Sequence, residues 1–255
     1  MKLLNYIHYQ NLGKPTLVIL HGLLGSSDNW RTISKKMANN FNIYCFDIRN
    51  HGESFHDTQM SYELMAKDVC NAIDYLGLEV DYLIGHSMGG KIVIRIIQEL
   101  SYIKKAIIVD IAPVKYQSHH QDVLQALEHV RFQNCTNRSD LDLELSQFVL
   151  NVPTRQLLMK NIRRLDNGDF FWKCNHQAII NAYTCIMDIS HLNKQISTPT
   201  LFVKGGDSEY IKDSDLAQID SLFFTSNVVS IDNVGHWVQA QAPEKFMQIC
   251  IDFFK

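Results

Sequence analysis

The segment DYLIGHSMGGKIVIRIIQEL, residues 81–100, holds the reading that decides the fold. A short apolar run, Asp81 to Ile84, ends at Gly85-His86-Ser87-Met88-Gly89-Gly90, and a helix-like stretch rich in isoleucine follows at once. Strand, G-x-S-x-G, helix is the order of a nucleophile elbow. The spacing has a mechanical cause. A serine on a sharp, strained strand-to-helix turn needs residues without Cβ two places before and two after it, so that strand and helix pass without collision. Its hydroxyl is then pushed out at the carboxyl end of the sheet. A glycine-rich turn with a solvated serine would share these letters, but the flanking strand and helix are the context the elbow requires.

Similar runs, apolar on both faces, recur at Pro15 to Leu20, Asn42 to Ile48, Lys105 to Val109, Pro199 to Val203 and Asn227 to Ile231. Between most of them apolar residues recur three and four apart, as in Leu64, Met65, Val69, Ala72, Ile73 and Leu76. Doubly buried strands alternating with amphipathic helices predict an α/β fold with a mostly parallel sheet covered on both faces. Residues 2–10 alternate in polarity and reach Asn11-Leu12-Gly13, which reads as a hairpin turn into the Pro15 run. The rhythm breaks between 115 and 190. There Val123, Leu124, Leu127 and Val130, then Leu157, Leu158, Ile162 and Leu165, then Ile179, Ile180, Tyr183 and Ile186 keep helical spacing. The expected organisation is a core of residues 1–114 and 191–255 carrying an all-helical insertion at 115–190.

With 255 residues, 46% of them hydrophobic, the chain can bury one enzyme-sized core. Its formal charge of -3 and the lack of any Lys/Arg block argue against a nucleic-acid partner. The six cysteines are scattered, without the close pairs of a zinc site or the density of a disulfide-stapled domain, and read as reduced thiols. The start, MKLLNYIHYQ, lacks a signal-peptide apolar segment, and no run approaches the about 18 apolar residues of a membrane span. A cytoplasmic protein without membrane insertion, metal or cofactor is the expectation. Oligomeric state is not encoded legibly.

A serine hydroxyl needs a base. Of eleven histidines, His236 in Asn233-Val234-Gly235-His236-Trp237 follows the last expected strand, at the sheet edge where the elbow also lies. The oxyanion needs preorganised amides. Met88, opening the elbow helix, and Leu23, in His21-Gly22-Leu23-Leu24-Gly25 after the run TLVIL, are placed to donate them. The glycines of that loop do not match G-x-G-x-x-G, so a dinucleotide loop is disfavoured.

Four motifs in order, His21-Gly22, Asp47-Ile48-Arg49-Asn50-His51-Gly52-Glu53-Ser54, the GHSMGG elbow and Gly235-His236-Trp237, give the chain a resemblance to the α/β-hydrolases over nearly its whole length. Within them it is most similar to small bacterial carboxylesterases and thioesterases of the YbfF-like type, through Val109-Asp110-Ile111-Ala112-Pro113-Val114 and Gly205-Gly206-Asp207-Ser208-Glu209-Tyr210. The resemblance implies an eight-stranded, mostly parallel sheet, a helical cap inserted after the sixth strand, and a serine, histidine and acid triad. The usual place for the acid is the loop after PTLFV, but there the count from Gly205 falls on Ser208, and Asp207 sits one residue early. In the similar esterases the acid comes from the position of Asp110, at the end of AIIVD. Asp110 is therefore expected to orient His236 with Ser208 as a supporting group, Asp207 being the alternative acid and Glu209 solvated. The 47–54 loop reads as a polar turn shaping the wall of the site. Trp237 and the cluster Phe170-Phe171-Trp172 are expected to line an acyl pocket, of which Phe171 and Trp172 belong to the cap. The expected function is cleavage of short-to-medium acyl esters or thioesters, small-molecule substrates, through an acyl-enzyme. Hydrolysis of a carbon–carbon bond in a diketone, or ligand reception without turnover, are the alternatives on the same fold.

Overall fold

The computed structural model describes residues 2–189, 192 and 194–255. Its first part alternates as the sequence predicts: β1 (Tyr6–Tyr9), β2 (Thr16–Leu20), α1 (Arg31–Met37), β3 (Asn42–Phe46), α2 (Tyr62–Tyr75), β4 (Tyr82–His86), α3 (Met88–Glu99) and β5 (Lys105–Val109). The insertion then contributes α4 (Gln121–His129), α5 (Arg138–Ser146), α6 (Val152–Lys160), β6 (Ile162–Arg164), β7 (Phe170–Trp172) and α7 (His176–Met187). The chain returns through β8 (Thr200–Gly205), α8 (Asp213–Leu222), β9 (Ser226–Ile231), α9 (Val238–Gln241) and α10 (Pro243–Phe254).

The main sheet runs β1-β3-β2-β4-β5-β8-β9, parallel throughout except for β1 at its edge. Alternation along each strand divides the core in two. Leu17, Ile19, Ile84 and Ile107 pack with Trp30 and Phe246 on one face. Val18, Leu20, Leu83 and Ile108 pack on the other with α2, α3 and apolar residues of the insertion, including Leu127, Leu158 and Ile179. The insertion is also tied down by polar contacts. Asn161 Nδ2 donates to the Leu24 carbonyl at 2.5 Å, and Tyr62 OH to the Ile186 carbonyl at 2.7 Å.

Three details differ from expectation. Seven strands form the sheet among the described residues, not eight, and the insertion follows the fifth. Ahead of β1, Asn5 is bound by the 47–54 loop: its N–H donates to Ser54 Oγ at 2.8 Å and its carbonyl accepts from Asp47 N at 2.8 Å. The hairpin turn at Asn11 to Gly13 exists, with Gly13 at φ +82°, but β1 pairs with β3 and not with β2. Asn42, whose side chain accepts from Asn11 N and whose N–H donates to the Pro15 carbonyl, guides β3 between them. Thirdly, the insertion is not all helical, because β6 and β7 form an antiparallel hairpin through a turn in which Gly168 takes φ +95°. Strands of three residues are too short to show a period of two, so the sequence reads through them. The expected core boundary at 190 and 191 lies outside the described residues. No helix among the described residues is long and apolar enough to cross a membrane.

Candidate active site

β4 is buried along its length, and its chain turns into α3 through Ser87 at φ 51° and ψ -116°. A non-glycine residue at positive φ is strained, and here the surroundings enforce it. A Cβ on Gly85 would collide with the Gly89 carbonyl, and one on Gly89 would strike the Leu20 carbonyl of β2. The two glycines flanking Ser87 are thus required by close backbone approach, as the elbow demands. Met88 is the first residue of α3, so its N–H has no acceptor within the helix.

β2 leads into the second amide. His21 is buried, its Nδ1–H donates to the Gly22 carbonyl at 2.8 Å, and its Nε2 accepts from Ile48 N at 3.0 Å. Burial holds the ring below its ordinary pKa and therefore neutral, as that pair of bonds requires. The loop turns tightly, with Gly25 N donating to the Gly22 carbonyl at 2.9 Å, and Leu24 sits at φ 58°. The Leu23 N–H has no backbone acceptor among the described residues.

Asp110 follows directly on β5, fully buried and, like Ser87, at φ 51°. Its Oδ2 lies 2.7 Å from His236 Nδ1 and accepts a bond from Ser208 Oγ, while its Oδ1 accepts from Gly205 N at 2.9 Å. The structure therefore brings Asp110, Ser208 and His236 into one cluster. Asp207 is exposed and contributes only a backbone bond to Val234, and exposed Glu209 pairs with Lys212 at 3.6 Å. His236 is held from two further directions. The neutral His86 ring, pushed down to about 3 by burial, donates from Nε2 to the His236 carbonyl at 2.9 Å. The Tyr210 ring stacks on the imidazole, with centroids 3.9 Å apart and planes at 20°.

Tyr210 is anchored in turn. Its hydroxyl meets His119 Nε2 at 2.7 Å and His120 Nε2 at 3.1 Å, and His120 Nδ1 meets Tyr183 OH at 2.9 Å. Burial lowers His120 to about 4, so it is neutral and relays hydrogen bonds between the two tyrosines. The insertion's histidines thereby hold the hydroxyl of Tyr210, whose ring covers one face of His236. Tyr210, His119 and His120 are the site residues that sequence reasoning missed. Their one signal was Tyr210's place in the GGDSEY stretch.

Ser87, His236 and the Leu23 loop open on one cavity of about 270 Å3. Trp30, Leu24, Val123, Leu157, Leu158 and Trp237 give it apolar walls, and no Asp, Glu, Lys or Arg lines it. Trp237 is where the sequence put it. Phe171 and Trp172 are not: they lie on β7, outside the cavity, with Trp172 buried against Phe132 at 5.2 Å between ring centroids. Strand alternation, not a helical face, sets their directions. The 47–54 loop also stays off the cavity wall. It is a polar brace: Asp47 accepts from Ser27 N and Glu53 N, and Arg49 pairs with buried Asp68 at 2.5 Å. The Ser87 hydroxyl has no hydrogen-bond partner among the described residues, and such contacts are commonly long until substrate is bound. No group of three or more His, Cys, Asp or Glu is arranged to hold a metal among the described residues.

A serine at a strained elbow and a histidine backed by a buried aspartate meet beside one largely apolar cavity, with the Leu23 loop on its wall, at the carboxyl edge of a doubly covered parallel sheet. The model of the alpha/beta hydrolase fold matches residues 15–243, and the chain belongs to the α/β-hydrolase family. It is 34% identical to the sn-1-specific diacylglycerol lipase ABHD11 of Xenopus laevis, covering 94% of this chain and 79% of that protein. It is 30% identical to Esterase YbfF of Escherichia coli, over 91% of this chain and 90% of that one. A solved structure described as a marine microorganism esterase superposes with TM-score 0.95 at 36% identity, covering 99% of this chain and 100% of its own.

Proposed function

We propose that the protein is a cofactor-independent serine esterase acting on short-to-medium acyl esters, and on acyl thioesters by the same route. The observation that carries this reading is that Ser87 and His236, the latter bonded to buried Asp110, open on one cavity whose lining is mostly apolar and holds no Asp, Glu, Lys or Arg. Ser87 Oγ attacks the ester carbonyl while His236 Nε2 takes its proton, and the negative oxygen turns to the Leu23 and Met88 amides. Collapse expels the alcohol or thiol, which leaves with the proton from His236. Water, activated by the same imidazole, then hydrolyses the acyl-enzyme. Asp110 keeps Nδ1 protonated and stabilises the imidazolium. The relatives named esterase and lipase support this chemistry, and the large cavity favours an apolar, uncharged portion of the substrate. Residues 115–190 act as a cap, since Val123, Thr154, Leu157 and Leu158 form one wall of the cavity.

The test is covalent. A fluorophosphonate should label Ser87, and Ser87→Ala should abolish labelling and lower turnover of acyl esters by roughly a thousandfold or more. Labelling that persists on another serine would overturn the assignment. A parallel panel of acyl esters and acyl-CoA thioesters of graded length decides between oxygen and sulfur leaving groups.

A further inference from the structure

Lys91 lies one turn beyond Ser87 on α3, and only 2% of its surface is exposed. Its ammonium donates to two carbonyls at the end of α7, Ile186 O at 3.3 Å and Met187 O at 3.1 Å, and faces the rings of Tyr116 and Tyr62 at 4.7 and 5.7 Å. None of these partners is a carboxylate. Asp188 acts on Lys91 only at longer range and is itself paired with Lys115 at 3.3 Å. A buried cation held by carbonyl dipoles alone is costly, and burial lowers Lys91 to about 7. An ammonium has three donors. Two are used.

Beside it lies a second cavity of about 30 Å3, lined by Lys91 together with Ser87, Met88, Leu23, Tyr116 and Tyr210 among others. That volume exceeds the ~10–15 Å3 needed by one water, so it admits a group of a few heavy atoms. It shares Ser87 and Leu23 with the large cavity but differs from it in character. The large one has no Asp, Glu, Lys or Arg in its lining, whereas the small one is lined by the buried Lys91.

We propose that the small cavity is an anion subsite of the ester site, taking a carboxylate carried on a short acyl chain, with Lys91 Nζ as its partner. The substrate class this selects is the half-ester of a short dicarboxylic acid with an apolar alcohol. The alcohol portion occupies the large apolar cavity and the acid end reaches Lys91. The inference rests on the reading of Ser87 as the acylated nucleophile. The bond between Ser87 Oγ and the acyl carbon forms as the ester C–O bond breaks, the alcohol leaves with the proton held by His236, and water releases the diacid. The carboxylate docked on Lys91 takes no part in those bonds. Its role is to seat the acyl carbonyl and to exclude acyl chains that carry nothing to pair with the ammonium.

The experiment compares kcat/KM for monoethyl succinate with that for its neutral isostere, ethyl 4-methylpentanoate, in the native enzyme, in Lys91→Met and in Lys91→Gln. Glutamine keeps donors for the Ile186 and Met187 carbonyls while removing the charge, and fluorophosphonate labelling reports that each variant retains an active fold. The expected result is that the ratio of acid half-ester to neutral ester falls about 10- to 100-fold in both variants, the range of a lost charge-assisted hydrogen bond. A ratio unchanged in either variant overturns the subsite, as does a native enzyme that hydrolyses the neutral ester but not the half-ester. A native enzyme that hydrolyses neither ester and takes no fluorophosphonate fails the serine-esterase reading itself, and the subsite with it.

Discussion

Ser87 and Asp110 share a backbone conformation that side-chain-bearing residues avoid, and both stand where a buried parallel strand runs out. Such strain persists only where the surroundings over-determine it. At Ser87 the glycines do so, and at Asp110 the Gly205 amide, Ser208 and His236 together hold the carboxylate. Elbow and histidine were legible because their roles impose spacing and order. The place of Asp110 beside His236 was legible only through a mismatch, the serine standing where an aspartate is usual. No pattern in the sequence announces the Tyr210 stack, since it depends on where two loops distant in sequence meet. The contacts of Asp110 predict a hierarchy among substitutions. Asp110→Asn keeps the shape but no longer fixes the donor on His236 Nδ1 or stabilises the imidazolium, and should lower kcat by three to four orders of magnitude, roughly what such a change costs in a triad. Ser208→Ala removes one hydrogen bond to the carboxylate and should cost on the order of tenfold. Asp207→Asn, exposed and remote from the imidazole, should leave kcat nearly unchanged. Steady-state kinetics on one ester for the three variants checks this, and a severe loss in Asp207→Asn with little in Asp110→Asn would reverse the assignment.

The strands of the sheet were readable because their runs are buried on both faces, and burial on both faces leaves little choice of residue. The insertion was readable only in outline. Its helices keep their spacing, yet the hairpin of β6 and β7 is too short to carry a period, and an all-helical reading of the insertion therefore gives no direction for Phe171 and Trp172. The element that does meet the cavity is α6, through Leu157 and Leu158, with Val123 from α4 beside it. These two parts of the insertion should respond differently to truncation. Leu157→Ala, at a half-buried position on the wall, should lengthen the preferred acyl chain in a series of esters from acetate to dodecanoate. Trp172→Ala should leave that profile in place and lower stability by about 3–5 kcal/mol, as large aromatic truncations in a core do. Denaturant melts alongside the chain-length profile separate the two effects. A shifted profile in Trp172→Ala with none in Leu157→Ala would mean that the cavity wall is misassigned.

Across the molecule, the loops that compose the site are fastened by neutral histidines buried beneath it. His21 ties the Leu23 loop to Ile48, His86 ties the His236 loop to the elbow, and His51 stacks obliquely on His21 with ring centroids 5.2 Å apart. Burial depresses all three, His51 and His86 to about 3. A histidine whose folded pKa lies below its unfolded value of 6.5 binds its proton more readily in the unfolded chain. Its neutral burial is therefore without pH cost above 6.5 and becomes progressively destabilising as pH falls towards 3. Buried Asp47, whose carboxyl is held below its ordinary 3.8 because hydrogen bonds from the Glu53 and Ser27 amides outweigh burial, does not offset this. Its stabilisation is constant above 3.8 and is lost only as the pH falls further, in the same direction as the histidines. Each unit of pH in the window costs about 1.4 kcal/mol per fully responsive histidine, so by pH 5 His51 and His86 should each withdraw roughly 2 kcal/mol. The urea midpoint should thus drop steeply between pH 7 and pH 5, long before the carboxylates titrate, and ester turnover should fail with the same midpoint because the Leu23 and His236 loops are what these rings hold. A midpoint that stays flat over that interval would show that the histidines are reached by water or charge without loss of the fold.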